Sequence, residues 1–237
     1  MFDSLLTEVQ ATDKQIVVYR RGQKRDLETR LATHNVAVTR RALPPGGPDP
    51  FLVIEEEGEF AGALGLVDLD GLLEPPIAHP GERDDISAGY RALFDVLDET
   101  VFSTMERRQL LAVSREIEDR AYRVGTGTLH ASFQTLSTFK YQTDVYRELA
   151  TETDLDIHVY AIADWTPPEI AGITYHEYGD DTHGRYWTLA FDSGGDNSRA
   201  CGLVAREHSD RYDGVWTYDS ELVSDIIAVL TEGRGRP

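Results

Sequence analysis

SREIEDRAYRVGTGTLHASFQTLSTFKYQTDVYRELA, residues 114–150, changes its hydrophobic period twice. Ile117, Ala121 and Val124 continue a helical spacing that begins at Leu110 and Val113. Gly125-Thr126-Gly127 then stops the helix and opens a strand. Along that strand Leu129, Ala131 and Phe133 alternate with His130, Ser132 and Gln134, so the two sets face opposite ways. Tyr146 and Leu149 return to helical spacing. The stretch therefore reads helix–strand–helix, and it sets the class as mixed α and β of the α+β type.

Working outward, IHVYAI (157–162), ITYHEY (173–178), RYWTLAF (185–191), ACGLVA (200–205) and DGVWTYD (213–219) read as strands. Leu222, Ile226, Ile227 and Leu230 mark a terminal helix. Upstream, Ile86, Tyr90, Leu93, Phe94, Leu97 and Val101 predict a helix through 103. Ser103 and Glu106 match a capping box, so a second helix is expected to start there. Its outer face carries Arg115–Asp119, Glu116–Arg120 and Asp119–Arg123 at i, i+4, pairs worth a few tenths of a kcal/mol each.

The N-terminal portion repeats the outline. Phe2, Leu5, Leu6 and Val9 read as a helix, Ile16–Tyr19 as a strand, and Leu27 and Leu31 as a second helix. Val36–Arg40 follows as a strand, then PPGGPDP (44–50), paired strands at 51–54 and 61–67, and a short helix at 68–73. The expected organisation is an α/β domain at 1–76, a linker with a connecting helix at 77–103, a sensory-type domain at 104–232 and a frayed tail at 233–237. Both halves would hold mixed, largely antiparallel sheets flanked by helices, as two related α-β-α-β-β-β-α units would. FLVIEEEGEFAGALGLV is similar in outline to YWTLAFDSGGDNSRACGLVA, which fits the first unit being a diverged copy of the second.

The formal net charge is −19, and only Lys14, Lys24 and Lys140 among the 23 basic residues are lysine. The acidity is spread over both halves, as on a solvated surface rather than in an interaction tail. This composition points to a high-salt cytoplasm and a salt-loving microbe, where screening removes most self-repulsion. With no basic stripe, nucleic acid is not an expected partner. Nor is a membrane: the N-terminus lacks a signal-peptide pattern and no apolar run approaches the roughly 20 residues of a spanning helix. Cys201 is the only cysteine, so an internal disulfide is impossible.

The pattern carried by Ile117, Glu118, Leu129, Ala131, Phe133, Gln134, Tyr146 and Leu149 resembles the DICT domain, a sensory module that occurs with diguanylate cyclases and two-component systems. The resemblance is strongest over about 104–231. It implies signal perception, with output through a signalling partner such as a kinase, a cyclase or a transcriptional regulator. The chain shows no kinase ATP site, phosphoacceptor helix or helix-turn-helix, so it is expected to be a stand-alone, cytoplasmic member of two-component-type signal transduction.

Candidate chemistry is sparse. Gly194-Gly195-Asp196 has the residues of a cyclase signature turn, but a hairpin turn accounts for it. No Walker loop, dinucleotide fingerprint or nucleophile elbow is present. Seven histidines raise the question of a metal; His158 and His176 could meet on neighbouring strands, but two ligands without a third make a poor site. No catalytic or metal-binding residue is therefore expected, and no cofactor is named. The candidate ligand-binding residues are His130, Phe133, Gln134, Tyr146, Trp187, Trp216 and Tyr218, a polar strand face plus aromatics that suit a flat guest. Each serves a sheet core equally well. Helices near 86–124 are the expected surface for a homodimer. The expected function is non-catalytic sensing of a small-molecule or cellular signal. The alternatives are a protein–protein adaptor without a ligand, or a small α/β enzyme.

Overall fold

The computed structural model describes residues 2, 14–22, 37–56, 58–66, 101–178, 183–195, 197–209 and 211–232. The expected helices around Leu5–Val9, Leu27–Leu31, 68–73 and 86–100, the linker and the tail lie outside the described residues. Strands β1 (Lys14–Arg20), β2 (Ala37–Ala42), β3 (Phe51–Glu56) and β4 (Glu59–Gly65) form a four-stranded sheet in the order β2-β1-β3-β4. Then follow β5 (Val101–Met105), α1 (Arg107–Val124), β6 (Thr126–Thr135), α2 (Leu136–Phe139), a 3₁₀ turn (Lys140–Gln142) and α3 (Thr143–Glu152). The chain continues through β7 (Asp154–Ile162), β8 (Ile173–Glu177), β9 (Tyr186–Asp192), β10 (Cys201–His208), β11 (Arg211–Thr217) and α4 (Ser220–Glu232). The second sheet has seven strands, β5-β11-β10-β9-β6-β7-β8, with β6, β7 and β8 parallel and the other pairs antiparallel.

The two sheets share a connectivity. In the first, β1 pairs parallel with β2 and antiparallel with β3, which then pairs with β4. In the second, β6 pairs parallel with β7 and antiparallel with β9, which then pairs with β10. The outline shared by the two halves of the sequence is thus a shared strand order.

One expectation is corrected. Val101 and its neighbours form an edge strand beside β11, not the last turn of a helix, and the capping box sits three residues later. Glu106 is the N-cap of α1, and its backbone N–H donates to Gln109 Oε1 at 2.9 Å. Helical spacing alone misled here, because Val101 suits a strand as well as the end of an apolar helix stripe. At the other end Gly125 takes the left-handed conformation (φ +71°) and donates to the Ala121 carbonyl at 2.9 Å. Gly127 lies at φ +112°, and a β-carbon there would overlap the Asp192 carbonyl and the Ser193 backbone. Glycine is what lets β6 enter so close to the end of β9.

Each face of the seven-stranded sheet has its own cover. Leu129, Ala131 and Phe133 face a core with Leu110, Val113 and Ile117 of α1 and Tyr146 and Leu149 of α3. Ile16, Val18, Leu52 and Ile54 of the four-stranded sheet belong to the same core. On the opposite face Tyr160, Tyr178, Tyr186 and Val204 pack with Val223, Ile226 and Leu230 of α4 and with Phe2. Helix α1 is buried around most of its circumference, its polar residues Arg115, Glu116, Glu118 and Asp119 included. Of the expected solvent-facing i, i+4 pairs, Asp119–Arg123 forms, and the other two are rearranged. Arg115 pairs with Glu118, Arg123 with both Asp119 and Glu116, and Arg120 donates to the carbonyls of Ser198 and Arg199.

Candidate ligand-binding site

The β6–β9 ladder ends at Ser132 and Thr188, although β6 runs on to Thr135 and β9 starts at Tyr186. A register shift between Ser132 and Thr135 also bends β6 where it pairs with β7. Between the parting strands lies a cleft lined by Phe133, Gln134, Tyr186 and Trp187, with Arg107 from the start of α1, Thr138 from α2 and Gln142 before α3. It encloses about 340 Å³ counting its open mouth. Only about 20 Å³ can take the centre of a water-sized sphere, room for about one water. A guest larger than that needs the strand ends to part further.

The cleft's polar groups are mainly donors. Trp187 Nε1 is buried with no acceptor among the described residues, a costly state for a donor out of water. The Arg107 guanidinium lies 5.8 Å from the Trp187 ring centroid, within cation–π range. Gln134 Nε2 donates to Glu207 Oε2 at 2.5 Å. Gln142 Oε1 accepts from Arg115 Nη2, which leaves the amide NH₂ as this cleft residue's donor.

Behind the cleft Arg115 Nη1 also donates to Glu118 Oε2, and Tyr146 donates its hydroxyl to Glu118 Oε1 at 3.0 Å. Burial, reinforced by the neighbouring Glu118 carboxylate, pushes the Tyr146 phenol well above its usual range, so it stays a neutral donor. Phe133, Phe139 and Tyr146 meet edge to face, with ring centroids 5.2–5.8 Å apart. Gln142 thus belongs both to the cleft wall and to the buried Arg115–Glu118–Tyr146 network.

The expected site residues divide. Phe133, Gln134 and Trp187 converge on the cleft, and Tyr146 sits behind Phe133. Trp216 is buried in the core beneath α1, and Tyr218 stacks under Arg120, whose Cζ is 4.5 Å from its ring. His130 faces the other way. There its Nδ1 lies 2.9 Å from the Tyr160 hydroxyl, and its ring is stacked 5.0 Å from that of His158. His158 and His176 do meet: Nδ1 and Nε2 are 2.8 Å apart. Their 5.1 Å centroid separation is that contact plus one ring radius on either side, so the rings lie end to end and share a hydrogen bond. Asp156 Oδ2 lies 3.1 Å from His158 Nε2, so that nitrogen carries a proton and donates to the carboxylate. Among the described residues no three His, Cys, Asp or Glu side chains form a metal-binding group. Burial also raises the Tyr178 phenol.

Sequence reading missed Arg107, Thr138 and Gln142. They come from helix ends and carried no periodic signal.

The description "Sensory domain in DIguanylate Cyclases and Two-component system" (DICT) matches residues 91–208, the span that contains α1, β6 and the whole cleft. The chain carries a DICT domain. The match begins before β5 and stops at the end of β10, so β11 and α4, which complete the sheet and cover its second face, follow the matched DICT residues. No curated protein sequence matches the chain. Among solved structures, the crystal structure of polyphosphate kinase from Porphyromonas gingivalis aligns at 14% identity and a TM-score of 0.38. That alignment covers 96% of this chain, which spans about half, 47%, of the kinase structure. Among the described residues no helix is long and apolar enough to cross a membrane, which leaves β-barrels unaddressed.

Proposed function

We propose that this protein perceives a small molecule in the β6–β9 cleft and hands the signal to a separate signalling protein, with no chemistry of its own. The DICT domain supports the sensory part. The single observation that carries the mechanism is the double role of Gln142. A guest that engages the Gln142 amide acts on the side chain that holds Arg115, and Arg115 with Glu118 lies inside α1. A ligand shifts such an equilibrium only by binding one arrangement of Gln142 better than the other.

The output partner would be a kinase, cyclase or transcriptional regulator, met directly or through a homodimer. The acidic, lysine-poor composition suits the cytoplasm of a halophilic archaeon. The test is a fractionated small-molecule extract of the native host added to the pure chain. One fraction should raise the melting temperature and slow amide exchange in α1 and α3. Trp187→Ala should abolish both effects, whereas Gln142→Ala should keep the binding and lose the change in α1. An extract in which no fraction alters melting or exchange overturns the reading.

A further inference from the structure

Resting on the cleft reading, we propose that the occupant is a small planar carboxylate, an aromatic or heteroaromatic acid. The groups that await a partner are donors. Among the described residues the Arg107 guanidinium makes no hydrogen bond or ion pair, and neither Trp187 Nε1 nor the Gln142 NH₂ finds an acceptor. In a chain with 42 acidic and 23 basic residues, a cleft-lining guanidinium that meets no carboxylate among the described residues is a place kept for one that arrives from outside. One carboxylate that touches the lining, that of Glu207, is already held by Gln134.

The guest's shape follows from the walls. Phe133 and Trp187 are flat, and the space between the parting strands is narrow. A guanidinium binds a carboxylate through two parallel hydrogen bonds, so a planar acid can meet Arg107 with its head while its ring lies by Trp187. Trp187 Nε1 then finds an acceptor, and the cost of its burial without one is relieved on binding. A neutral amide of the same shape has the same access to the parted slot but leaves Arg107 unpaired.

The experiment compares benzoate and indole-3-carboxylate with benzamide and indole-3-carboxamide, titrated into the full chain at one fixed molar salt concentration. Binding is read by calorimetry and tryptophan fluorescence. The acids should bind about tenfold or more tightly than the amides. Arg107→Gln should erase that margin and leave the amides unchanged. Trp187→Phe, which keeps a ring and removes the donor, should weaken the acids while keeping them ahead of the amides. Equal binding of acids and amides, or a preference that survives Arg107→Gln, overturns the proposal. A host ligand lost in Trp187→Ala but lacking a carboxylate would sink the ligand class and leave the sensory reading standing. Absence of any ligand would sink both.

Discussion

In the N-terminal sheet β1 pairs with β3 up to the first residue of β3, Tyr19 against Phe51, and the two rings stack 4.7 Å apart at 7°. In the C-terminal sheet β6 leaves β9 two residues short of the start of β9, and Phe133, Gln134, Tyr186 and Trp187 stand around the gap. The strand order is the same and the ending differs. Where the ladder runs to its end, aromatic side chains close on each other. Where it stops early, aromatic side chains become walls. A binding site can thus be made from an ordinary sheet by ending one pair of strands sooner, provided that the polar groups exposed behind it are held.

What holds them is the Arg115–Glu118–Tyr146 network, which has no counterpart beside Tyr19 and Phe51 among the described residues. The sharpest way to break the contrast is Glu118→Ala. It leaves Arg115, 6% exposed, buried beside Tyr146 without its carboxylate. Losing one partner of a buried pair costs about 3–5 kcal/mol. Chemical denaturation in high salt should show a loss of this size, and one near zero would mean that the network is slack.

Tyr146→Phe tests the same network more gently. It removes one hydrogen bond and leaves a Glu118 oxygen short of a donor, for about 1–3 kcal/mol at neutral pH. Its pH dependence is distinctive. Below about pH 10 the phenol is protonated in both folded and unfolded chains, and stability does not respond. Above that, the unfolded phenol ionises while the folded one, raised by burial, keeps its proton, so stability falls as pH rises. The variant lacks this contribution, and its deficit against the parent chain should narrow through the alkaline range. A constant deficit would contradict the buried, neutral assignment.

On the closed side, Tyr19→Ala removes one of two stacked, half-buried rings. The expected loss is about 0.5–1.5 kcal/mol beyond the area it uncovers, measured by thermal melting. It should leave ligand binding at the C-terminal cleft unchanged. An effect on binding would show that the two ends are coupled.

These contrasts also show what the sequence made legible. Period-2 alternation placed Phe133 and Gln134 on opposite sides of β6, and the strand pattern placed Trp187 on β9. The encounter of His158 and His176 followed from their positions on neighbouring strands. The cleft itself was not legible, because it depends on where a ladder stops, and no residue pattern marks the last pair of Ser132 with Thr188. Arg115, Glu116 and Asp119 were misread as solvent-facing for a related reason. Charged residues at helical spacing look solvent-facing until a second layer covers them, and the cover over α1 comes from a distant part of the chain. Arg107, Thr138 and Gln142 meet only in three dimensions.

The smallest expected effect concerns the rim of the cleft. Thr138 is set by the short helix α2, whose N-cap Thr135 accepts from the Thr138 N–H at 3.2 Å. The preceding residue, Ser137, donates its N–H and hydroxyl to Asp164 at 2.8 and 2.6 Å. The Ser137 hydroxyl, ahead of a weaker opposing desolvation, holds the Asp164 carboxyl below its ordinary 3.8. A lowered carboxyl stabilises the fold above its unfolded value, and that stabilisation is lost as pH falls through the folded one. Asp164 is exposed, so screening keeps the effect small. Asp164→Asn should therefore leave melting near neutral pH almost unchanged, and its small difference from the parent chain should vanish as pH falls below the ordinary carboxyl value and through the lowered folded one. Because α2 carries only Thr138 to the cleft, the substitution should weaken binding there far less than Arg107→Gln. Equal losses would mean that the rim, and not the Arg107–Trp187 wall, sets the affinity.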